Sequence, residues 1–223
     1  MIDNRLFARL SWLFPIVSVH LSMIVYALGP NHRAFPYFIS ESAHPSGPEG
    51  WIFLLTLVFS GLLLIITAWR LYNHTKDIAI RPKVTFIAML IGVFSGSNMI
   101  LVGIFDIYSS PVLHVITALN LFYGSLGWGI LSYVGIYGNQ NSRSRMRLYY
   151  LGAAILCHLV MSYAMTQAFL ENPEALTPPI DLNLVQHWVR WAALAEYGFF
   201  ISSMLLIWSY ESEIRGTVDD SEE

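Results

Sequence analysis

The sequence predicts an all-α fold, a polytopic membrane protein built as a six-helix bundle with a folded first loop. Three observations carry that reading. Of 223 residues, 55% are apolar and only 12% charged, and the mean hydropathy is +0.53, which is not the balance of a soluble surface. The charges fall in clumps, separated by apolar runs close to the roughly 20 residues that cross a hydrocarbon core. The runs are continuous, with none of the alternation that a half-exposed strand requires.

The predicted spans are residues 10–29, 51–70, 84–105, 111–136, 148–170 and 188–210, forming a single domain over 1–210. The first follows Arg5 and Arg9, and it is longer than a signal peptide's apolar core, so it reads as a retained anchor. The second is bracketed by Trp51 and Trp69, about 27 Å apart at helical rise, which matches the core thickness. Gly92 and Gly96 give the third a close-packing face. The fourth and fifth flank Arg143, Arg145 and Arg147, and the sixth is interrupted only by Glu196. Residues 211–223, with six acids against Arg215, read as a solvated acidic tail.

Lys and Arg concentrate before the first span and in the second-to-third and fourth-to-fifth connections, which places both termini in the cytoplasm. The opposite side carries the longest loop, 29–50, whose four prolines and three glycines preclude a long helix. Its Phe35, Tyr37, Phe38 and Ile39 are too apolar for a free linker, so the loop is expected to fold over the helix ends. The compartment follows the host, an endomembrane of the Golgi, endoplasmic reticulum or lysosome type in a eukaryote and the plasma membrane in a prokaryote.

A net charge of -3 lacks the basic excess that a nucleic-acid partner demands. The single cysteine, Cys157, closes no bridge within the chain. No HExxH, GxSxG, Walker or CxxC pattern is present, so no motif names a hydrolase.

Ionisable groups inside a span are costly and usually face the bundle interior. His20, Asn98, Asn120 and Glu196 are expected about 10 to 14 Å below the outer surface, with His158 near the midplane. The plainer reading of this layer is a set of interhelical hydrogen bonds; Glu196, an isolated carboxylate that must be protonated or paired, is equally a site candidate. A second group, Glu49, Asp106 and His114, is expected to meet at the outer mouth of the bundle. There it would hold a metal ion or a lipid head group. The candidate catalytic groups are thus Glu196, His114 and Asp106, and the candidate metal ligands His114, Asp106 and Glu49; no cofactor is specified.

The loop residues Phe35, Pro36, Tyr37, Phe38, Ile39, Ser40 and Glu41, with Gly47, Pro48 and Glu49 at the mouth of the second span, resemble the first luminal loop of the DRAM/Frag/Sfk family. His114 with Ala118 and Gly124, and Glu196 with Tyr197, are similar to further motifs of that family. Glu41, Gly47 and Asp106 depart from its usual Asp, Pro and Gln. The resemblance implies handling or remodelling of membrane lipids or lipid anchors such as GPI, with membrane lipids and a lipid-anchored substrate as partners. The alternative is a non-catalytic membrane organiser acting through lipid asymmetry or protein partners. Neither reading specifies an oligomeric state.

The topology has a direct check. Single cysteines at Ser46 and Ser144 in a Cys157→Ser background are expected to react with an impermeant maleimide from opposite sides of the membrane. Reaction of both from one side overturns the arrangement.

Overall fold

The computed structural model describes residues 3–30, 32–45, 47–136, 142–176 and 181–216, with the side chains of 142–144 left out. Ser46, the side chain of Ser144 and residues 217–223 thus lie outside the described residues. Six long helices carry the chain: α1 (Asn4–Leu28), α2 (Pro48–Thr75), α3 (Pro82–Ile104), α4 (Pro111–Ile136), α5 (Ser142–Glu171) and α6 (Gln186–Ser209). All six are long and apolar enough to cross a membrane, and no strand occurs among the described residues. This is a multi-pass membrane architecture, and its exposed Leu, Ile, Phe and Trp side chains contact lipid.

The helix starts follow local chemistry. α2, α3 and α4 each open on a proline, whose fixed φ suits the first turn and whose missing N–H would have had no acceptor there. Pro15 lies inside α1 and removes one backbone bond from that helix. Here Pro15 is buried, so the freed backbone group is shielded from lipid.

The helices pack in chain order around an interior, each against the next, and α6 closes the ring on α1. The α2/α3 seam is the tightest kind of contact. A methyl added to Gly61 would stand 2.6 Å from the Gly96 carbonyl, and one added to Gly96 would stand 2.7 Å from that of Gly61. Only the absence of side chains allows backbones that close. Gly92 does the same against Ala68 and Trp128, so the face read from the sequence is the face that packs. Between α3 and α4, Ser95 and Ser125 share a 2.8 Å hydrogen bond.

The end of the bundle that holds both termini departs from expectation. The domain does not stop at residue 210 and residues 211–216 are not a solvated tail. Glu211–Arg215 forms a seventh helix, α7, tucked against α1, α2 and α6 and ended by Gly216 at φ 78. Its Glu213 forms a 2.7 Å ion pair with Arg147 of α5, whose side chain is fully buried. Arg147 also donates to the Ser209 carbonyl and lies 4.0 Å over the Tyr210 ring. The physical reason is helix-end chemistry: the last carbonyls of α6 need donors, and a planar guanidinium supplies several. Arg147, counted above as a loop charge, is a structural bolt.

Breaking a buried pair from one side leaves the other charge uncompensated, at a cost of about 3 to 5 kcal/mol. Glu213→Ala is therefore expected to lower unfolding stability by that order in a detergent titration followed by tryptophan fluorescence. A loss under about 1 kcal/mol, the range of exposed pairs, overturns the assignment.

Candidate functional site

The site begins with the loop. The described residues of the loop 29–50 fold into a plug over the end of the bundle opposite the start of α1, centred on a short 3₁₀ turn, Ile39–Ala43, every residue of which is buried. Glu41 organises it. Its carboxylate accepts from the Phe38 N–H at 2.8 Å and forms an ion pair with the Arg33 Nε at 2.9 Å. The Arg33 contact is electrostatic rather than a directed hydrogen bond, since none of the three guanidinium nitrogens has an aligned acceptor. Burial pushes the Glu41 carboxyl above its ordinary value, with Arg33 and the Phe38 N–H pulling it back.

Tyrosines fasten the plug to the helices. The Tyr37 hydroxyl donates to the Met23 carbonyl at 2.8 Å, and burial, reinforced by Tyr26 and Glu41, pushes the phenol up to about 12. The Tyr108 hydroxyl, between α3 and α4, donates to the Glu41 carbonyl at 3.0 Å, and burial raises that phenol too. Ser22 of α1 donates to Ser42 and to the Glu49 carbonyl.

α6 grips the plug from inside. Glu196 Oε2 accepts the Ile39 N–H at 2.7 Å, and the Tyr197 hydroxyl donates to the Tyr37 carbonyl. The Phe35 ring stacks on Tyr197 at 6.1 Å. Two motifs 157 residues apart are therefore one structure.

Beneath the plug lies a cavity of about 90 Å³ inside the helix ring. Its walls are mostly apolar, with Glu196 from α6 and His114 from α4 facing the same space alongside Ser60, Ser125 and Ser203. Beside it, between α1 and α6, an apolar groove of about 200 Å³ opens sideways under the loop. Val19, Ile39 and Phe200 line both spaces and so form the partition between them.

The outer-mouth cluster does not form as expected. His114 is buried and its Nδ1–H donates to the Phe105 carbonyl at 2.7 Å. Asp106 remains within electrostatic range of His114 but is spent on its own turn, accepting from the Tyr108 and Ser109 backbone N–H groups at 2.8 and 2.7 Å. Glu49 is buried at the start of α2, its carboxylate folded back over Gly47. No three His, Cys, Asp or Glu side chains gather as metal ligands among the described residues. A short connection must cap the ends of α3 and α4, and an Asx-type turn at Asp106 meets that need locally.

The intramembrane layer also divides. His20 does not face the interior: it is exposed, bonded to the Ile16 carbonyl of its own helix, and lines the α1/α6 groove. Asn98 is buried but donates to Phe94 of its own helix rather than across a seam, and Asn120 is half-buried. His158 is buried among Phe122, Tyr123 and Phe199, and neither ring nitrogen has a hydrogen-bond partner. Sequence reasoning missed Arg33, Tyr26, Tyr108 and Ser60 as site residues. Arg33 carried a signal, being the one Lys or Arg in the apolar loop eight residues before Glu41.

A family model described as "Protein of unknown function (DUF998)" matches residues 13–209. The chain belongs to this family. The match overturns the DRAM/Frag/Sfk resemblance, and the GPI-anchor and lipid-anchored-substrate expectations drawn from it fall away. The shared motifs were short, and a buried loop with a Glu-aromatic partner is a solution any helical bundle with an apolar first loop can reach. No curated protein and no solved structure matches this DUF998 chain.

The grip on the plug is measurable. Tyr197→Phe keeps the ring that stacks on Phe35 and removes only the hydroxyl, leaving the Tyr37 carbonyl short of a donor, for a cost of about 1 to 3 kcal/mol. Amide exchange in residues 37–43 is expected to accelerate about tenfold or more, with exchange in α2 and α3 unchanged. Unaltered exchange in the loop overturns the role given to Tyr197.

Proposed function

We propose that this chain binds and handles an amphiphile drawn from the membrane leaflet next to the plugged end of the bundle. One observation carries the reading: an apolar groove open to lipid between α1 and α6 adjoins an interior cavity that presents the Glu196 carboxylate. A chain-like apolar ligand suits the groove, because transfer from lipid to an apolar wall costs little and shape does the selecting. A polar head suits the cavity, where Glu196, Ser60 and Ser203 offer hydrogen-bonding groups in a dry setting.

The α1/α6 seam supports this role because it is looser than the glycine seams on the other side of the ring. Movement of the plug, held there by the Ile39 and Tyr37 backbone bonds, would open the cavity from above. The Lys/Arg asymmetry adds that the plug faces away from the cytoplasm. Handling of this kind needs no bond cleavage. The His114 Nδ1–H is committed to a carbonyl, and no Ser or Cys nucleophile bonded to an imidazole occurs in the cavity among the described residues.

Filling the groove tests the reading. Ile201→Trp places a large ring where a tail would lie, and Leu156→Trp adds the same ring on the exposed face of α5. Native mass spectrometry of the two proteins extracted from one membrane is expected to show bound lipid lost, by about tenfold, a step of about 1.4 kcal/mol, in Ile201→Trp alone. Equal lipid occupancy in both variants overturns the reading.

A further inference from the structure

Glu196 is a buried carboxyl without a cationic partner among the described residues: no Lys, Arg or His forms an ion pair with it. The acid within electrostatic range, Glu41, already has Arg33 at 2.9 Å, so that loop pair neutralises itself and leaves Glu196 over. Its Oε2 is held by the Ile39 N–H, and the residue lines the cavity.

The α2 wall of the cavity has a complementary gap. Ser60 of α2 is 2% exposed, its hydroxyl has no hydrogen-bond partner, and it lines the same cavity. With no donor directed at it, the hydroxyl oxygen keeps its lone pairs free to accept a hydrogen bond from a guest in the cavity. The rings of Phe53, Phe122, Phe199 and Phe200 line the same cavity.

A surplus carboxylate, an orphan acceptor and aromatic faces together favour one chemistry, an ammonium group. The carboxylate supplies the charge, the serine oxygen takes an N–H, and the ring faces attract a cation. An anionic head offers Glu196 no counter-charge and a neutral alcohol only a hydrogen bond, whereas an ammonium group is the ligand that lets this buried carboxylate carry its charge. Size narrows the choice: an engineered cavity of about 150 Å³ accepts benzene, so a space of about 90 Å³ suits a head smaller than a six-membered ring, such as a primary ammonium with its first methylenes. The tail has the groove behind the Val19, Ile39 and Phe200 partition.

We infer that the cavity is a receptor for the head of a primary-amine amphiphile, with Glu196 as its counter-ion and Ser60 as its hydrogen-bond acceptor. This inference rests on the amphiphile reading above and adds the ligand's charge.

The test uses the full chain in phosphatidylcholine nanodiscs and three twelve-carbon probes, dodecylamine, dodecanol and dodecanoate, each measured against empty discs. Dodecylamine is expected to bind at least about tenfold more tightly than dodecanol, a margin of about 1.4 kcal/mol, and dodecanoate more weakly than either. In Glu196→Gln the amine preference is expected to collapse to about twofold while dodecanol still binds. Ser60→Ala, a small change in a packed wall, is expected to weaken the amine several-fold and leave dodecanol unmoved; this holds the test open if the glutamine variant does not fold. Equal binding of all three probes overturns the ammonium inference and leaves the amphiphile reading standing. An amine preference that survives in Glu196→Gln overturns the assignment to this cavity. No binding above empty discs overturns the amphiphile reading itself.

Discussion

A carboxylate placed within a membrane span needs a donor, and in this chain the donor is the backbone of a loop. The bond from the Ile39 N–H to Glu196 at 2.7 Å does two things at once. It satisfies an oxygen that lipid cannot, and it pulls the 3₁₀ turn down into the ring of helices. A buried carboxyl oxygen or amide left without this bond would cost about 1 to 3 kcal/mol, more than most single contacts in a bundle where lipid supplies no hydrophobic drive. The plug, the cavity beneath it and the sideways groove all follow from where that turn sits.

The two ends of the bundle solve the same problem differently. At the plugged end, backbone groups of a loop meet side chains from α1, α4's entry and α6. At the other end, Arg147 meets the last carbonyls of α6 and the acid of α7. Both ends rely on a buried charge held by several partners, and neither relies on apolar contact alone. Between them the glycine seams of α2, α3 and α4 form the closely packed half of the ring, and the looser α1/α6 seam holds the sideways groove.

The family resemblance failed for an instructive reason. Most of its motif residues serve the plug in this chain: a proline-broken aromatic loop, Glu41 that orders it, and the Glu196–Tyr197 pair that receives it. Such residues report a shared structural requirement as readily as shared descent. Asp106 illustrates the converse. It stood where a functional acid was expected and turned out to cap a turn, because a carboxylate two residues before a free N–H closes an Asx turn whatever else surrounds it.

By itself the sequence determined the solvent, the number of membrane-spanning helices, the close-packing face of α3 and the presence of a folded loop. These are properties of single segments: apolar length, proline and glycine placement, and charge clustering are all read within about 30 residues. Only the tertiary structure decided that Glu196 meets Ile39, that His20 looks outward, that Arg147 is buried against Glu213 and that Ser60 and Glu196 line one cavity. In a fully apolar helix both faces look alike in sequence, since lipid and protein interior accept the same side chains. Which face turns inward is set by the neighbouring helices, and partners 157 and 160 residues apart along the chain leave no local trace of their meeting.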